Sequence, residues 1–266
     1  SVDMGALRGY LRRPGLVIAA TLWTAIAVPL LFIGGGLLSG ADSGMPDLFL
    51  GLLLHGATSP MMAAPALAAL LGLDATLVLM TLVASAALTP VTAPLFVHYF
   101  AGGSLVLSPM DFASKLFLML AGSAFAAFLV RRLVGVQAIL RRRAEIDGIN
   151  VIGLFVFVAA IMGNVGESFL AMPLLAIGLT LLSFAIFFGV LGITMLVLSW
   201  AGAERAFALG FMAAQRNMGL MLAATGGAVP ELTWLYFALS QFPIYLTPQL
   251  LAPVARRLRA RRSGRT

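Results

Sequence analysis

The stretch Phe207-Ala-Leu-Gly-Phe-Met-Ala-Ala-Gln215-Arg216-Asn217-Met-Gly-Leu-Met-Leu-Ala-Ala224 is apolar throughout except at its centre, where three polar residues stand together. Its flanks read as a membrane span, a setting in which every backbone polar group must be satisfied within the protein. An arginine at the middle of a spanning helix costs about 2.5–3.5 kcal/mol on insertion scales. Arg216 is therefore expected to face a protein interior, a cavity or a partner, which makes it the first candidate functional residue.

Composition extends that reading to the whole chain. With 61% hydrophobic and 10% charged residues and a mean hydropathy of +1.03, 266 residues cannot coat a soluble domain with polar surface. The net charge of +7 does not point to nucleic acid, because the arginines gather in short segments between apolar runs. There is no cysteine, so disulfides and thiolate metal sites are excluded. The opening residues from Ser1 lack the charged and apolar regions of a signal peptide.

A span needs about 20 mostly apolar residues. The sequence supplies about eight: Pro14 to Leu38, Asp47 to Gly72 with a break, Ala75 to Tyr99, Asp111 to Val130, Ile149 to Met162, Pro173 to Trp200, Ala206 to Gly227 with a break, and Leu232 to Val254. Alternating the loops puts fifteen arginines on one side: Arg8, Arg12, Arg13, Arg131, Arg132, Arg141, Arg142, Arg143, Arg205, Arg256, Arg257, Arg259, Arg261, Arg262 and Arg265. Lys115 stands alone on the other. By the positive-inside rule both ends of the chain are cytoplasmic, and the expected location is a bacterial inner membrane. The chain reads as one transmembrane domain over 1–266: a first repeat within 1–130, a linker 131–148, a second repeat 149–254 and a basic tail 255–266.

The two halves echo each other. Leu88-Thr89-Pro90 with Ala93-Pro94 recurs as Leu246-Thr247-Pro248 with Ala252-Pro253, and the same offset brings Pro14 near Pro173 and Ser59-Pro60 near Arg216-Asn217. Five crossings separate each element from its copy, so the copies run in opposite directions, as in the inverted repeats of secondary transporters. In the first copy Gly56 weakens the helix, Ser59 is the expected N-cap, and Pro60 suits the first turn of a second half-helix. In the second copy Asn217 is the expected cap. Each half is expected to have 10–13 residues, and Pro65 reads as a further weakening of its half. Thr89 and Thr247, each beside a proline, are expected to satisfy the carbonyls those prolines free. The fold class is thus an all-α integral membrane protein of about eight crossings with two broken, crossing helices.

These residues resemble the bile acid:sodium symporter family. The resemblance rests on Arg12-Arg13-Pro14-Gly15, Val28-Pro29, the Ser59-Pro60 break, Leu88-Thr89-Pro90, Arg216-Asn217-Met218-Gly219-Leu220 and Gln241-Phe242-Pro243-Ile244-Tyr245, and it covers nearly the whole chain. It implies ten helices in two inverted five-helix repeats, the fourth and ninth broken, with a core and a panel domain. On that plan the chain begins before the third helix, and the first two would be missing. The resemblance also implies sodium ligands in the second repeat, a Glu and a Gln, but Met212 and Arg216 stand in their places. The first-repeat Ser-Asn pair is replaced within Met61-Met62-Ala63-Ala64-Pro65-Ala66, and hydroxyl ligands in the next helix by Val78 and Leu82. Sodium needs several oxygen ligands, so the coupling ion is left open between Na+ and H+.

The candidate substrate- or ion-binding residues are Arg216, Asn217, Gln215, His55, Thr58, Ser59 and Gln241. Arg216 offers a fork of donors suited to a carboxylate, and the expected cargo is a small organic anion moved by alternating access. The competing role for Arg216 is to satisfy the carbonyls at a half-helix end and lock the crossing. His55 could carry a proton or sit as a neutral, hydrogen-bonded core residue. Thr58, Ser59 and Asn217 are expected as caps before ligands. No His-Glu-x-x-His, Gly-x-Ser-x-Gly or paired carboxylates occur in a span, so no enzyme, cofactor or metal site is expected, and membrane lipid is the expected partner besides the anion. The alternatives are a membrane protein that binds or senses without transporting, and an incomplete fragment of a transporter.

Overall fold

The computed structural model describes residues 4–12, 14–102, 107–163 and 165–263, which are helical almost throughout; among them no strand occurs. Arg13 and Arg265, counted above, lie outside the described residues, as do the side chains of Arg143, Arg259, Arg261 and Arg262. Among the described residues four helices are long and apolar enough to cross a membrane: Gly15–Leu38, Ala75–Phe100, Pro109–Val134 and Pro173–Val197. They match four of the expected spans. The faces of Pro109–Val134 are almost entirely exposed, with only Phe112 and Leu116 buried, which for so apolar a helix means a surface suited to lipid.

The two interrupted segments are each built from a long and a short piece. Pro46–Ala57 and Ala203–Ala214 have 12 residues each, about 18 Å of helix, and Ala64–Leu70 and Met218–Ala224 have 7 each, about 10 Å. The short pieces correct the expected 10–13 residues. In the first segment the second helix starts at Ala64, not after Ser59, and Pro65 lies in its first turn, where a missing N–H costs nothing. Pro65 therefore helps to start the helix that it was expected to weaken.

Both 12-residue helices are buried on all sides beyond their opening residues, Leu48 to Ala57 and Ala206 to Ala214. Each packs against the long helix before it, Gly15–Leu38 and Pro173–Val197 respectively. Glycine permits the approach: a Cβ on Gly56 would stand 2.7 Å from the Cβ of Phe32, and one on Gly210 would stand 2.8 Å from the Leu191 carbonyl oxygen.

Two further boundaries differ from expectation. The last segment divides at Ser240 into Glu231–Leu239 and Gln241–Ser263. Pro243 supplies no N–H to the Leu239 carbonyl, and Ser183 Oγ from Pro173–Val197 stands 3.5 Å from that oxygen while donating to Thr180 O at 2.7 Å. The linker 131–148 is largely helical: Pro109–Val134 continues into it, Gly135 turns at φ 80°, and Val136–Arg141 and Arg143–Met162 follow.

Candidate functional site

The breaks in the two interrupted segments meet. Residues 59–61 and 215–217 lie antiparallel around a bridge between Pro60 and Arg216, with Met61 N–H donating to Gln215 O at 2.7 Å and Asn217 N–H to Ser59 O at 2.9 Å. Thr58 Oγ donates to Asn217 O at 2.9 Å. Groups left over by breaking a helix are expensive in hydrocarbon, and here each break satisfies part of the other's backbone.

Arg216 lies at the centre of this junction and is 1% exposed. Its Nη1 donates to Thr58 O at 2.7 Å, at the C-terminal end of Pro46–Ala57, where a helix dipole favours a cation. Its Nη2 donates to Thr24 O on Gly15–Leu38 at 3.2 Å. Its Nε, equally buried, has no partner. Among the described residues no Asp or Glu is buried, so the guanidinium has no buried carboxylate to balance it.

The other candidate residues divide between the junction and its surroundings. Gln215, fully buried, donates from Nε2 to Ile244 O at 3.3 Å, while its Oε1 is unpartnered. Asn217 caps Met218–Ala224 as expected, its Oδ1 accepting from Leu220 N–H at 3.2 Å. Ser59 does not cap: its hydroxyl is buried without a partner, because the helix begins five residues later and the chain at Ser59 is committed to the cross-bridge. Thr58 ends the first half-helix instead of starting the second. Gln241 donates to Phe237 O one turn back and takes no part in the junction.

His55 is 4% exposed, and its Nδ1 shares a 2.7 Å hydrogen bond with the hydroxyl of Tyr236. Its ring lies 4.9 Å from that of Phe32. Phe32 in turn lines an apolar cleft of about 610 Å³ between Gly15–Leu38, Pro46–Ala57 and Pro173–Val197, with Leu31, Gly35, Leu52, Ile186 and Val190 among its walls. Its size suits a small-molecule pocket. Arg216 does not line it, and the junction is closed around the guanidinium.

Thr89 and Thr247 do not satisfy the carbonyls freed by the following prolines. They donate to Ser85 O and Pro243 O, their own partners four residues back, whereas Pro90 and Pro248 free Ala86 O and Ile244 O. Sequence reasoning also missed Thr24, Tyr236 and the unpartnered hydroxyls of Thr21 and Thr81, all buried. Thr24 takes part through its carbonyl, which no side-chain signature marks.

Together these features define an all-helical protein whose four longest apolar helices suit a membrane and whose two interrupted segments join at a buried arginine. No family model matches the sequence, and no curated protein matches it significantly.

Proposed function

We propose that the chain is a secondary transporter of a small organic anion, similar in plan to the bile acid:sodium symporters, in which Arg216 provides a tethered positive charge where the family's pattern would hold a mobile cation. The observation that carries this reading is a buried guanidinium with an unpartnered Nε and, among the described residues, no buried carboxylate. A fixed cation inside a membrane protein is costly to bury, which makes it a functional-site candidate by default. The equal lengths of the corresponding half-helices, the antiparallel meeting of their breaks and the sequence echo between Thr89 and Thr247 support an inverted-repeat architecture of about eight crossings. The described conformation is then a closed one, and access to Arg216 requires the junction to open toward one side at a time.

A contact among Tyr10, Asp74 and Arg205 supports the assigned sidedness. Tyr10 OH donates to Asp74, and the Arg205 guanidinium carbon lies 5.9 Å from the Tyr10 ring centre, so three segments assigned to the cytoplasmic side come together.

A second reading, binding without transport, draws on the use of both Arg216 amino groups by carbonyls, which ties the residue to the scaffold. Flux separates the two. Purified protein in proteoliposomes should accumulate labelled small carboxylates, and Arg216→Gln should abolish uptake in protein that still folds. Binding with no net flux would establish the second reading, and absence of both binding and flux across a panel of organic anions would sink the proposal.

A further inference from the structure

Two features together leave the Thr24 carbonyl without a backbone donor. The turn Trp23–Ala27 is π-helical, and the Val28 N–H bonds to Trp23 O, five residues back; in an α-helix that N–H would have gone to Thr24 O. In the wider register the donor for Thr24 O would come from residue 29, which is proline. Thr24 is 1% exposed, so bulk water does not reach it. Arg216 Nη2 occupies the position of the missing donor.

The neighbouring residue repeats the arrangement. Pro248 deletes the N–H that would bond Ile244 O within Gln241–Ser263, and Gln215 Nε2 donates to that carbonyl. Adjacent residues of one break thus each replace a hydrogen bond deleted by a proline, in helices at opposite ends of the sequence.

We propose that Pro29 is a positioning residue for Arg216. By opening the Thr24 carbonyl it gives the guanidinium a second anchor beside Thr58 O, fixes the plane of the group, and leaves Nε as its unpartnered donor. The two anchors lie on different elements, so any shift of Gly15–Leu38 against the junction releases Nη2. The inference stands on backbone geometry and does not depend on what the chain carries.

The test is a double-mutant cycle on the full chain in detergent, with Pro29→Ala, Arg216→Met and the double variant followed by thermal unfolding. In the Pro29 background, Arg216→Met should lower the midpoint by about 5–10 °C, and in the Pro29→Ala background by about half as much, because the backbone can then satisfy Thr24 O while Thr58 O still loses its donor. Equal drops in both backgrounds overturn the proposal. A spectroscopic measurement covers the case in which Arg216→Met fails to fold. Arg216 is the one buried arginine among those whose side chains are described, so its guanidinium protons are the slow-exchanging set in a sample labelled with ¹⁵N-arginine. Pro29→Ala should speed exchange of the Nη protons about tenfold, while Pro248→Ala, which releases Gln215 alone, should leave it unchanged. Unchanged exchange after Pro29→Ala, or equal acceleration by both, overturns the assignment.

Discussion

The two breaks differ more than the helices they interrupt. The first, from Thr58 to Ala63, is six residues without a charge and contributes mostly backbone: Thr58 O to Arg216, Ser59 O to Asn217 N–H and Met61 N–H to Gln215 O. The second, Gln215 to Asn217, is three residues, and all three side chains act: Gln215 on Ile244 O, Arg216 on Thr58 O and Thr24 O, and Asn217 as a cap. Donors cross the junction in both directions, Met61 N–H and Thr58 Oγ from the first break and Asn217 N–H and Arg216 Nη1 from the second, but the bonds to neighbouring helices come from Gln215 and Arg216 of the second. Half-helices of matching length therefore frame a junction whose side-chain bonds come mainly from the second interrupted segment.

The sharpest challenge to that asymmetry is Arg216→Met. It keeps an unbranched apolar stem and leaves Thr58 O and Thr24 O without these donors, at about 1–3 kcal/mol for each buried unsatisfied carbonyl, or about 2–6 kcal/mol together. Thr58→Val, the matching lesion in the first break, removes one hydroxyl donor and should cost about 1–2 kcal/mol. Unfolding of both variants in the same detergent compares them directly. If Thr58→Val proved as damaging as Arg216→Met, the donors of the second break would not be what holds the junction.

A smaller contrast concerns the caps. Asn217→Ala removes the Oδ1 acceptor at the start of Met218–Ala224 and should destabilise by about 1 kcal/mol. Ser59→Ala, at the position whose sequence looks more like a cap, should be neutral or slightly stabilising, because it deletes a buried hydroxyl that has no partner. Destabilisation by Ser59→Ala in the same melting experiment would show that the second half of the first segment, Ala64–Leu70, is capped from Ser59.

The contrast between Ser59 and Asn217 also shows what the sequence could and could not say. The interruptions were legible, since a Ser-Pro pair and a polar triplet inside apolar runs have local causes. The start of the second half-helix was not: Ser59-Pro60 and Ala63-Ala64-Pro65 both offer a helix start, and the choice is made by pairing with residues 215–217, which are far away in the chain. Arg216 announced itself through its desolvation cost, but its partners are carbonyls, which every residue carries. The usable clue was Pro29 and Pro248, since a proline names the carbonyl it orphans by counting back four residues, or five across a π-turn. Counting gives Ile244, and with the π-turn Thr24. What it cannot give is the side chain that answers, because that is fixed by packing. His55 and Tyr236, 181 residues apart, were illegible as a pair for the same reason.

The smallest effect expected lies at the end of the molecule where the first interrupted segment finishes and the second begins. Asp74 caps Ala75–Phe100 through Leu77 N–H and also accepts from Tyr10, while Arg205 opens the second segment beside the Tyr10 ring. Partial burial, followed by the hydrogen bond to the Asp74 carboxylate and that group's charge, raises the Tyr10 phenol to about 12 from an ordinary value of 10.0, with Arg205 opposing. A folded-state value above the unfolded one means that the folded protein holds this proton more tightly. Its contribution is then complete below pH 10 and disappears as pH rises from 10 through about 12. Tyr10→Phe lacks the titrating group, so the difference in melting temperature between it and the parent chain should be constant up to pH 10 and shift against the parent above it. A difference that stays level to pH 12 would mean that Asp74 does not hold the Tyr10 proton in the folded protein.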